Sequence, residues 1–298
     1  MSRMLYERLG AEELAQLGQL LPETEPFAGF MAGPVDPALE RMLALHCGMW
    51  LGLESVAERT GLVRRQPPED VHAMARGPLA AAGGLYEADL VADALRSAGC
   101  QIADAGQALD FGCSSGRVVR VFAAAFPQVR WFGCDPNQRA IAWAREHLPG
   151  IEFLVSGDQP PLELPAASLG LVFAISIWSH FEPRLGLEWF EEMRRLLRPG
   201  GHLVITTHGL ASVAHYAGNG LRSAEQCAEI ADALYRHGWW YAPEFGDRGD
   251  WGVVNPAWGT AFLSPEWLLA NLCPRWRVLE FVPGRNAGNQ DLYVLERA

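Results

Sequence analysis

Short apolar runs alternate with helical segments through the middle of this sequence, and this alternation constrains the fold more than any other feature. The apolar runs fit buried β-strands, and the segments between them repeat their apolar residues at helical spacing. Strands that are separated by helices pair as a parallel sheet with helices on both faces, which defines an α/β fold. The predicted strands span 108–111, 129–134, 151–155, 171–177 and 202–207, and the predicted helices span 117–126, 138–147 and 185–197.

The residues before this alternation are predicted to be mainly helical. Helices are expected over 12–21 and 38–59, the second with Asp36 as its N-cap and Pro37 as its first residue, and a loop is expected over 22–34. A further helix over 85–98 follows an irregular stretch. The sequence therefore predicts an N-terminal helical extension, 1–80, before the main domain, 81–298.

The residues after the alternation complete the predicted sheet. A helix is expected over 223–237, and another begins at Ser264 and Pro265. Two strands, 277–282 and 292–296, are joined by a segment rich in Gly and Asn, which is typical of a hairpin. We therefore expect the last strand to run antiparallel to the rest of the sheet.

Composition and charge exclude several classes of function. The 298 residues are 49% hydrophobic and 20% charged, as in globular proteins, and the formal net charge of −11 opposes binding to nucleic-acid phosphates. No apolar stretch reaches membrane-spanning length, and Arg3, Glu7 and Arg8 stand where a signal peptide would be apolar. The six cysteines lack metal-binding spacing. We expect a cytoplasmic protein without a metal and without a nucleic-acid or membrane partner.

A glycine-containing turn follows the first predicted strand. Between Asp110 and Gly116 the small residues allow backbone N–H groups to approach a ligand, with the positive end of a helix behind them. Asp135 ends the next strand, where its carboxylate can accept hydrogen bonds from both hydroxyls of a ribose. Together they predict a nucleoside-binding crevice. The alternatives are an ordinary strand-to-helix connection and, for Asp135, a helix N-cap ahead of Pro136.

The run from Asp110 to Gly116 resembles motif I of the class I S-adenosylmethionine-dependent methyltransferases, Asp-x-Gly-x-Gly-x-Gly, and the resemblance extends over roughly 84–209. It implies a Rossmann-like fold with a seven-stranded, mostly parallel sheet and an antiparallel last strand. It also implies that S-adenosylmethionine is the cofactor. The residues that it assigns to cofactor binding are Asp110, Gly112, Cys113, Ser115, Gly116, Asp135, Pro136, Asn137, Asp158, Gln159 and Ser176.

Within this set the resemblance assigns different parts of the cofactor to different residues. The turn residues would line the methionine and ribose, Asp135 would hold the ribose, and Pro136 and Asn137 would flank the adenine. Asp158 would accept the adenine amino group, although a Gly-Asp pair is also a common turn. The sequence departs from the family pattern at Ser114, which replaces the middle glycine, and at Gly170, where relatives often carry Asp.

Two histidines are candidates for the base that removes a proton from the methyl acceptor. His180 follows the fourth predicted strand and His208 ends the fifth, and an imidazole titrates near neutral pH. The alternative is that each histidine caps the end of a helix or strand.

An aromatic segment between the fifth and sixth strands is predicted to form an acceptor lid within 209–263. The alternative is that its rings pack the lid onto the sheet. Its aromatic and charged residues include Trp239, Trp240, Tyr241, Phe245, Asp247, Arg248, Asp250, Trp251, Trp258 and Phe262.

The sequence predicts metal-independent methyl transfer to an oxygen or nitrogen of a small polar molecule, such as a sugar or a natural-product scaffold. One alternative is an NAD(P)-dependent oxidoreductase, but its Gly-x-Gly-x-x-Gly pattern is not met, since Ser114 and Arg117 stand at the later glycine positions. Another is a scaffold protein that keeps the cofactor pocket without catalysis. The helices before residue 80 are candidates for a homodimer contact or for a roof over the acceptor site.

Overall fold

A seven-stranded sheet forms the centre of this computed structural model, which describes residues 1–71, 76–245, 254–255 and 257–298. A separate sheet has two strands. The strands of the large sheet are β1 (Gln107–Phe111), β2 (Arg130–Asp135), β3 (Ile151–Val155), β4 (Leu169–Ala174), β5 (Leu197–Thr207), β8 (Trp276–Asn286) and β9 (Gln290–Arg297), and those of the small sheet are β6 (Trp239–Ala242) and β7 (Thr260–Leu263).

The strand order of the large sheet is β3-β2-β1-β4-β5-β9-β8. The pairs among β1 to β5 are parallel, whereas β9 runs antiparallel to both β5 and β8. The predicted α/β fold with an antiparallel last strand is therefore confirmed.

Helices cover both faces of this sheet and precede it in the chain. Within the described ranges, each of them is too short or too polar to serve as a membrane span. The helices are α1 (Ser2–Tyr6), α2 (Ala11–Leu20), α3 (Phe27–Met31), α4 (Pro37–Trp50), α5 (Glu54–Thr60), α6 (Leu85–Ser97), α7 (Val119–Ala125), α8 (Gln138–His147), α9 (Pro183–Leu196), α10 (Leu210–Gly218), α11 (Ala224–His237) and α12 (Pro265–Leu272).

The N-terminal helices differ from the prediction in two places. The single helix expected over 38–59 is two helices, because Gly52 adopts a left-handed backbone with φ of 73° between α4 and α5. Asp36 does cap α4, since its Oδ1 accepts hydrogen bonds from the N–H groups of Ala38 (2.8 Å) and Leu39 (3.1 Å). The loop expected over 22–34 contains α3, which the fully buried Phe27 anchors to the core.

The fourth and fifth strands also differ from their predicted bounds. β4 ends at Ala174 instead of residue 177, because Ser176 adopts a left-handed backbone with φ of 63°. β5 begins at Leu197, which pairs with Leu169, and the next pair in the ladder joins His202 to Leu171. The residues between the predicted helix, 185–197, and the predicted strand, 202–207, are therefore an irregularity within β5.

Gly170 has a steric reason to be glycine. A Cβ atom added there would lie 2.2 Å from the backbone oxygen of Ala105. The close approach of these two backbones leaves no room for the aspartate that the family pattern often carries at this position.

Alternate residues of β4 enter two separate apolar cores. Leu171 and Phe173 pack on one face of the sheet, and Val172 and Ala174 pack on the other. Side chains of the N-terminal helices, such as Leu43, belong to the first of these cores. The helices before residue 80 therefore support the same sheet, and the domain boundary near residue 80 stays a prediction.

Arg120 on α7 connects the sheet domain to the irregular stretch before α6. Its guanidinium group donates to the carbonyl oxygens of Val63 (3.1 Å), Arg65 (2.7 Å) and Ala80 (3.0 Å). Burial, together with the nearby charge of Arg117, lowers the pKa of Arg120 to about 10. The side chain thus remains a cation at neutral pH and offers its N–H groups to these carbonyls.

Replacing Arg120 with alanine should destabilise the fold, because it leaves these buried carbonyl groups without their donor. We expect Arg120→Ala to lower the free energy of unfolding by about 3 kcal/mol. Urea denaturation measures the change. The matched control is Arg184→Ala on the exposed surface of α9, which should cost less than about 1 kcal/mol. Equal losses in the two variants would contradict the role of Arg120.

Candidate active site

A cavity lies at the carboxyl ends of β1 and β4, where the order of the parallel strands reverses. Its volume is about 300 Å³. The residues that line it come from the turns after β1, β2, β4 and β5, from α10, from the small sheet and from the hairpin before β9, and they are Gly112, Ser114, Asp135, Ile175, Ser176, Ile177, His180, His208, Tyr216, Phe245, Trp258, Thr260, Asn289 and Gln290.

A second, smaller cavity of about 20 Å³ adjoins the first and shares Gly112, Asp135, Ile177 and Trp258 with it. Its remaining walls come from β1, the turns after β2, β3 and β4, α9 and the segment before β7. These walls are Phe111, Pro136, Ser156, Gly157, Asp158, Phe181, Trp189 and Asn255.

The turn after β1 holds its backbone against both cavities. Gly112 has φ of 81°, and a Cβ atom added to it would lie 2.1 Å from Cδ1 of Ile177. Gly112 therefore has no room for a side chain beside Ile177, and its backbone lines both cavities. Ser114, which replaces the middle glycine of the family pattern, also adopts a left-handed backbone with φ of 50°. The conformation that glycine favours is thus kept with a serine.

Asp135 connects the turn after β1 to the start of α8. Its Oδ2 accepts a hydrogen bond from the N–H of Ser114, and its Oδ1 accepts one from the N–H of Asn137, each at 2.8 Å. Burial raises the pKa of this carboxyl group, and the hydrogen bonds from Asn137 and Ser114 oppose that rise. A polar acceptor thus lies beside the main cavity, and each of its oxygens keeps a further lone pair.

Asp110 lies behind the turn instead of in a cavity wall. It is fully buried in β1, and its Oδ2 accepts a hydrogen bond from the N–H of Val119 at 3.2 Å, at the beginning of α7. Burial raises its pKa to about 8, although the charge of Arg117 and the Val119 bond act in the opposite direction. Asp110 is therefore largely protonated at neutral pH.

The structure brings only part of the predicted cofactor set to the cavities. Gly112, Asp135, Pro136, Asp158 and Ser176 line one cavity or both. The other predicted residues support the turn or the nearby loops without lining these two cavities, and they are Asp110, Cys113, Ser115, Gly116, Asn137 and Gln159.

The geometry explains two of these supporting positions. Asn137 caps α8, since its Oδ1 accepts hydrogen bonds from the N–H groups of Arg139 and Ala140, each at 3.1 Å. A Cβ atom added to Gly116 would lie 2.5 Å from Leu148, on the side of α8 and β3. The roles in cofactor binding that the sequence assigned to all of these residues stay predictions.

The candidate base His180 lies in the wall of the main cavity. Its ring stacks on Trp258, with centroids 5.2 Å apart and planes at 11°, and its Nδ1 lies 3.2 Å from the carbonyl oxygen of Gly259. A carbonyl oxygen only accepts hydrogen bonds, so Nδ1 carries the proton of the neutral ring. Nε2 is then the nitrogen that can take up a proton.

The other candidate, His208, is buried at the end of β5. Its Nδ1 lies 3.2 Å from the carbonyl oxygen of Ala261, and its Nε2 lies 3.1 Å from the hydroxyl of Tyr216. Burial, assisted by the charge of His180, lowers the pKa of His208 to about 3. His208 is therefore neutral at physiological pH, with its Nε2 engaged as a hydrogen-bond acceptor.

The predicted aromatic segment contributes only some of its residues to the cavity. Phe245 and Trp258 line the cavity, whereas Trp240 donates to Glu229 and packs on Phe262 away from it. Asp247, Arg248, Asp250 and Trp251 lie outside the described residues. The acceptor-lid role of the segment stays a prediction.

Sequence reasoning missed four polar residues of the cavity wall, which are Tyr216, Thr260, Asn289 and Gln290. Each lies far along the chain from the turn after β1, and none belongs to a recognised motif. The Gly- and Asn-rich hairpin segment 283–290 was the one available signal for the last two of them.

The fold and the site define an α/β domain with a cavity where the strand order reverses, and comparison with known proteins specifies its class. Residues 108–201 match the family described as methyltransferase domain. The chain is 31% identical over 115 residues to the malonyl-(acyl-carrier protein) O-methyltransferase of Methylococcus capsulatus, a match that covers 36% of this chain and 38% of that protein. It is 33% identical over 104 residues to the trans-aconitate 2-methyltransferase of an Azoarcus species, covering 34% and 39% respectively.

Among solved structures, an S-adenosylmethionine-dependent methyltransferase from Mesorhizobium loti aligns with a TM-score of 0.48 and 19% identity, covering 70% of this chain and 98% of that one. The matched segments span less than half of the two curated relatives. The family match contains the turn after β1 and Asp135. The family match over 108–201 confirms the expectation from motif I that this segment is the domain of a class I S-adenosylmethionine-dependent methyltransferase.

The residues present fit the nucleoside of S-adenosylmethionine. Asp135 offers carboxylate oxygens at the main cavity, and Gly112 lines both cavities without a side chain. Asp158 lines the second cavity, where it is available to an amino group. In the described ranges no group of three metal-ligating side chains occurs.

The raised pKa of Asp110 should be visible in the pH dependence of stability. The folded state favours the protonated acid up to about pH 8, whereas the ordinary pKa of an aspartic acid side chain is 3.8, so ionisation destabilises the fold as pH rises between these values. Asp110→Asn removes this charge and keeps an acceptor for Val119.

We therefore expect Asp110→Asn to gain stability relative to the native chain as pH rises from about 5 to 8. Thermal unfolding at several pH values measures this difference. The control Asp232→Asn, at an exposed position on α11, should show no such trend. A constant difference between Asp110→Asn and the native chain across this range would disprove the raised pKa.

Proposed function

We propose that this protein transfers the methyl group of S-adenosylmethionine to an oxygen or nitrogen of a small, uncharged polar molecule. The observation that carries the proposal is the main cavity, which is bounded on one side by Gly112 and Asp135 and on the other by neutral hydrogen-bonding side chains. When bound, S-adenosylmethionine supplies an electrophilic methyl group on a positively charged sulfur. The protein must then hold an acceptor atom in line with that group.

Cofactor binding in this proposal depends on the turn after β1 and on Asp135. The carboxylate of Asp135 would accept hydrogen bonds from ribose hydroxyls with the lone pairs that Ser114 and Asn137 leave free. Pro136 and Asp158, in the adjoining cavity, would contact the adenine. Ser176 would lie on the other side of the cofactor, where β4 ends.

The charge of the cavity wall favours a neutral acceptor. Among the described residues that line the main cavity, Asp135 is the one carboxylic acid, and none is an arginine or lysine. Arg222 lies 5.9 Å from the ring of Tyr216, but it forms an ion pair with Glu244 at 2.7 Å. An acceptor carboxylate would therefore lose its hydration without gaining a free cation in this wall.

This acceptor class differs from that of the two relatives described above. They are named for malonyl and trans-aconitate substrates, which both carry carboxylic acid groups. The residues that would select the acceptor lie mostly beyond the matched segment 108–201, since Tyr216, Phe245, Trp258 and Gln290 all follow it. Similarity within 108–201 therefore carries little information about the acceptor.

His180 is the stronger candidate for the base. Its Nδ1–H is directed at the carbonyl of Gly259, so the Nε2 of the neutral ring is the atom able to take the acceptor's proton. His208 is the weaker candidate because its pKa of about 3 makes it a poor proton acceptor at neutral pH, and its Nε2 faces the hydroxyl of Tyr216. We propose that His208 serves as a fixed hydrogen-bond acceptor in the cavity wall.

Asp135→Ala should weaken binding of S-adenosylhomocysteine by at least about thirtyfold, because it removes the acceptor of the ribose hydrogen bonds, worth about 2 kcal/mol or more. Isothermal titration calorimetry measures the affinity, and circular dichroism verifies that the variant folds. Asp93→Ala, at a half-buried position on α6 outside the two cavities, should bind like the native chain. Unchanged affinity in a folded Asp135→Ala variant would refute the proposed cofactor site.

Acceptor specificity tests the proposed reaction. We expect the native chain to methylate members of a panel of neutral phenols, sugars and aryl amines, with little or no turnover of malonyl or trans-aconitate carboxylates.

His180→Ala should lower turnover of the best acceptor about a hundredfold, because no base then removes the acceptor's proton.

Two controls accompany the His180 experiment. The affinity of His180→Ala for S-adenosylhomocysteine should stay within about twofold of the native value, and His237→Ala, at the exposed end of α11, should retain full turnover. Preference for the carboxylates would overturn the neutral acceptor class. Full activity in His180→Ala would exclude this histidine as the base.

A further inference from the structure

Gln290, the first residue of β9, brings a carboxamide from the end of the chain into the wall of the main cavity. It is 4% exposed, and its polar atoms have partners on several elements. Its Oε1 accepts from Thr206 at 2.8 Å and from Asn286 at 3.2 Å, and its Nε2 lies 2.6 Å from Oγ of Ser176 and 3.3 Å from Nε2 of His208.

Three of these residues form a closed ring of hydrogen bonds. The N–H of Ser176 donates to Oγ1 of Thr206 at 2.8 Å, the Thr206 hydroxyl donates to Oε1 of Gln290, and the Gln290 amide donates back to Oγ of Ser176. Within the ring each of the three residues donates one hydrogen bond and accepts one, so the ring has a single direction. This direction requires the amide oxygen to face Thr206 and the amide nitrogen to face Ser176.

The ring holds Ser176 in a conformation that serine rarely adopts. With φ of 63°, Ser176 lies in the left-handed region, which costs a residue other than glycine about 1 kcal/mol or more. Its Oγ lies 3.1 Å from Oγ of Ser179, whose hydroxyl donates to the carbonyl of Ser176 at 2.8 Å. These bonds offset the strain and direct the backbone after β4 along the cavity.

The other N–H of Gln290 is directed at His208. Nδ1 of His208 donates to the carbonyl of Ala261, so its Nε2 is an acceptor that faces both Gln290 and the hydroxyl of Tyr216. An amide N–H stabilises the unprotonated Nε2. A carboxylate in the same place would stabilise the protonated ring instead.

We propose, on the basis of the function proposed above, that Gln290 is a positioning residue for the methyl-transfer site. Its carboxamide holds Ser176 in the left-handed conformation and presents an N–H group to Nε2 of His208. The acceptor-facing wall therefore keeps one shape and one pattern of donors and acceptors. Gln290 acts through Ser176 and His208 and is not itself a base.

Gln290→Glu tests both contacts with an almost isosteric side chain. The carboxylate has no N–H for Ser176 or His208, so the ring opens and His208 gains a negative neighbour. The titratable or charged groups around His208 are His180 after β4, His215 and Tyr216 on α10, Arg222 after α10 and Asp291 on β9. All of these groups are also present in the native chain, so a titration of His208 that appears only in Gln290→Glu is caused by the substitution.

The first measurement is a pH titration of ¹⁵N-labelled histidine by NMR, which needs no acceptor. In the native chain His208 should stay neutral from about pH 5 to 9, whereas in Gln290→Glu it should titrate within about pH 5 to 8. Asn286→Ala removes a bond to the same side chain without touching Ser176 or His208, and it should behave like the native chain.

The second measurement is turnover of a neutral acceptor from the panel above. We expect Gln290→Glu to lose about thirtyfold and Thr206→Val, which opens the ring and leaves His208 neutral, to lose about tenfold. Asn286→Ala should stay within about twofold in turnover and in affinity for S-adenosylhomocysteine. Because Ser176 also lies beside the proposed cofactor site, any loss of affinity for S-adenosylhomocysteine in Gln290→Glu and Thr206→Val should be smaller than their loss of turnover. If Gln290→Glu fails to fold, Thr206→Val still tests whether the ring of hydrogen bonds supports turnover.

Three results would overturn the positioning role. They are native turnover in Gln290→Glu, equal loss in Asn286→Ala, and a fall in S-adenosylhomocysteine affinity as large as the fall in turnover. An unchanged His208 titration in Gln290→Glu would remove the second contact even in the absence of an acceptor. Failure of the native chain to bind S-adenosylhomocysteine would instead reject the proposed function, so the two failures are distinguishable.

Discussion

The buried carboxylate of Asp135 is the interaction on which the geometry of the site depends. By accepting N–H groups from Ser114 and Asn137, it fixes the turn after β1 against the start of α8. Both partners have unusual requirements, since Ser114 is left-handed and Asn137 must cap a helix. One side chain therefore sets the width of the crevice at the point where the strand order reverses, and the neighbouring cavities take their shape from it.

Much of the fold was predictable because a parallel sheet leaves a strong local signal. Strands that are buried on both faces are continuous apolar runs, as in β4, whose six residues are all buried. The turn after β1 and Asp135 were predictable for a different reason, since the family motif places them a fixed distance apart. Their roles in binding, unlike their positions, need the experiments above.

The acceptor side was not predictable because its residues carry no local signature. Tyr216, Thr206 and Gln290 become neighbours only when β9 pairs with β5 and α10 packs nearby. The helix break at Gly52 and the early end of β4 at Ser176 depend on single left-handed residues, which periodicity does not detect. Even the neutral state of His208 depends on such contacts. Burial lowers its pKa, and His208 forms a backbone bridge with Phe262 of β7, a short strand that the sequence did not indicate.

The small sheet has a consequence for both histidines at once. Gly259 and Ala261 are alternate residues, so their carbonyl groups project to the same side of the chain and orient His180 and His208 respectively. Their N–H groups bind the backbone after β4 in the same ladder. A shift of β7 along its own axis would move both carbonyl groups together. Any movement of β7 that reorients the imidazole of His180 would therefore also reorient that of His208.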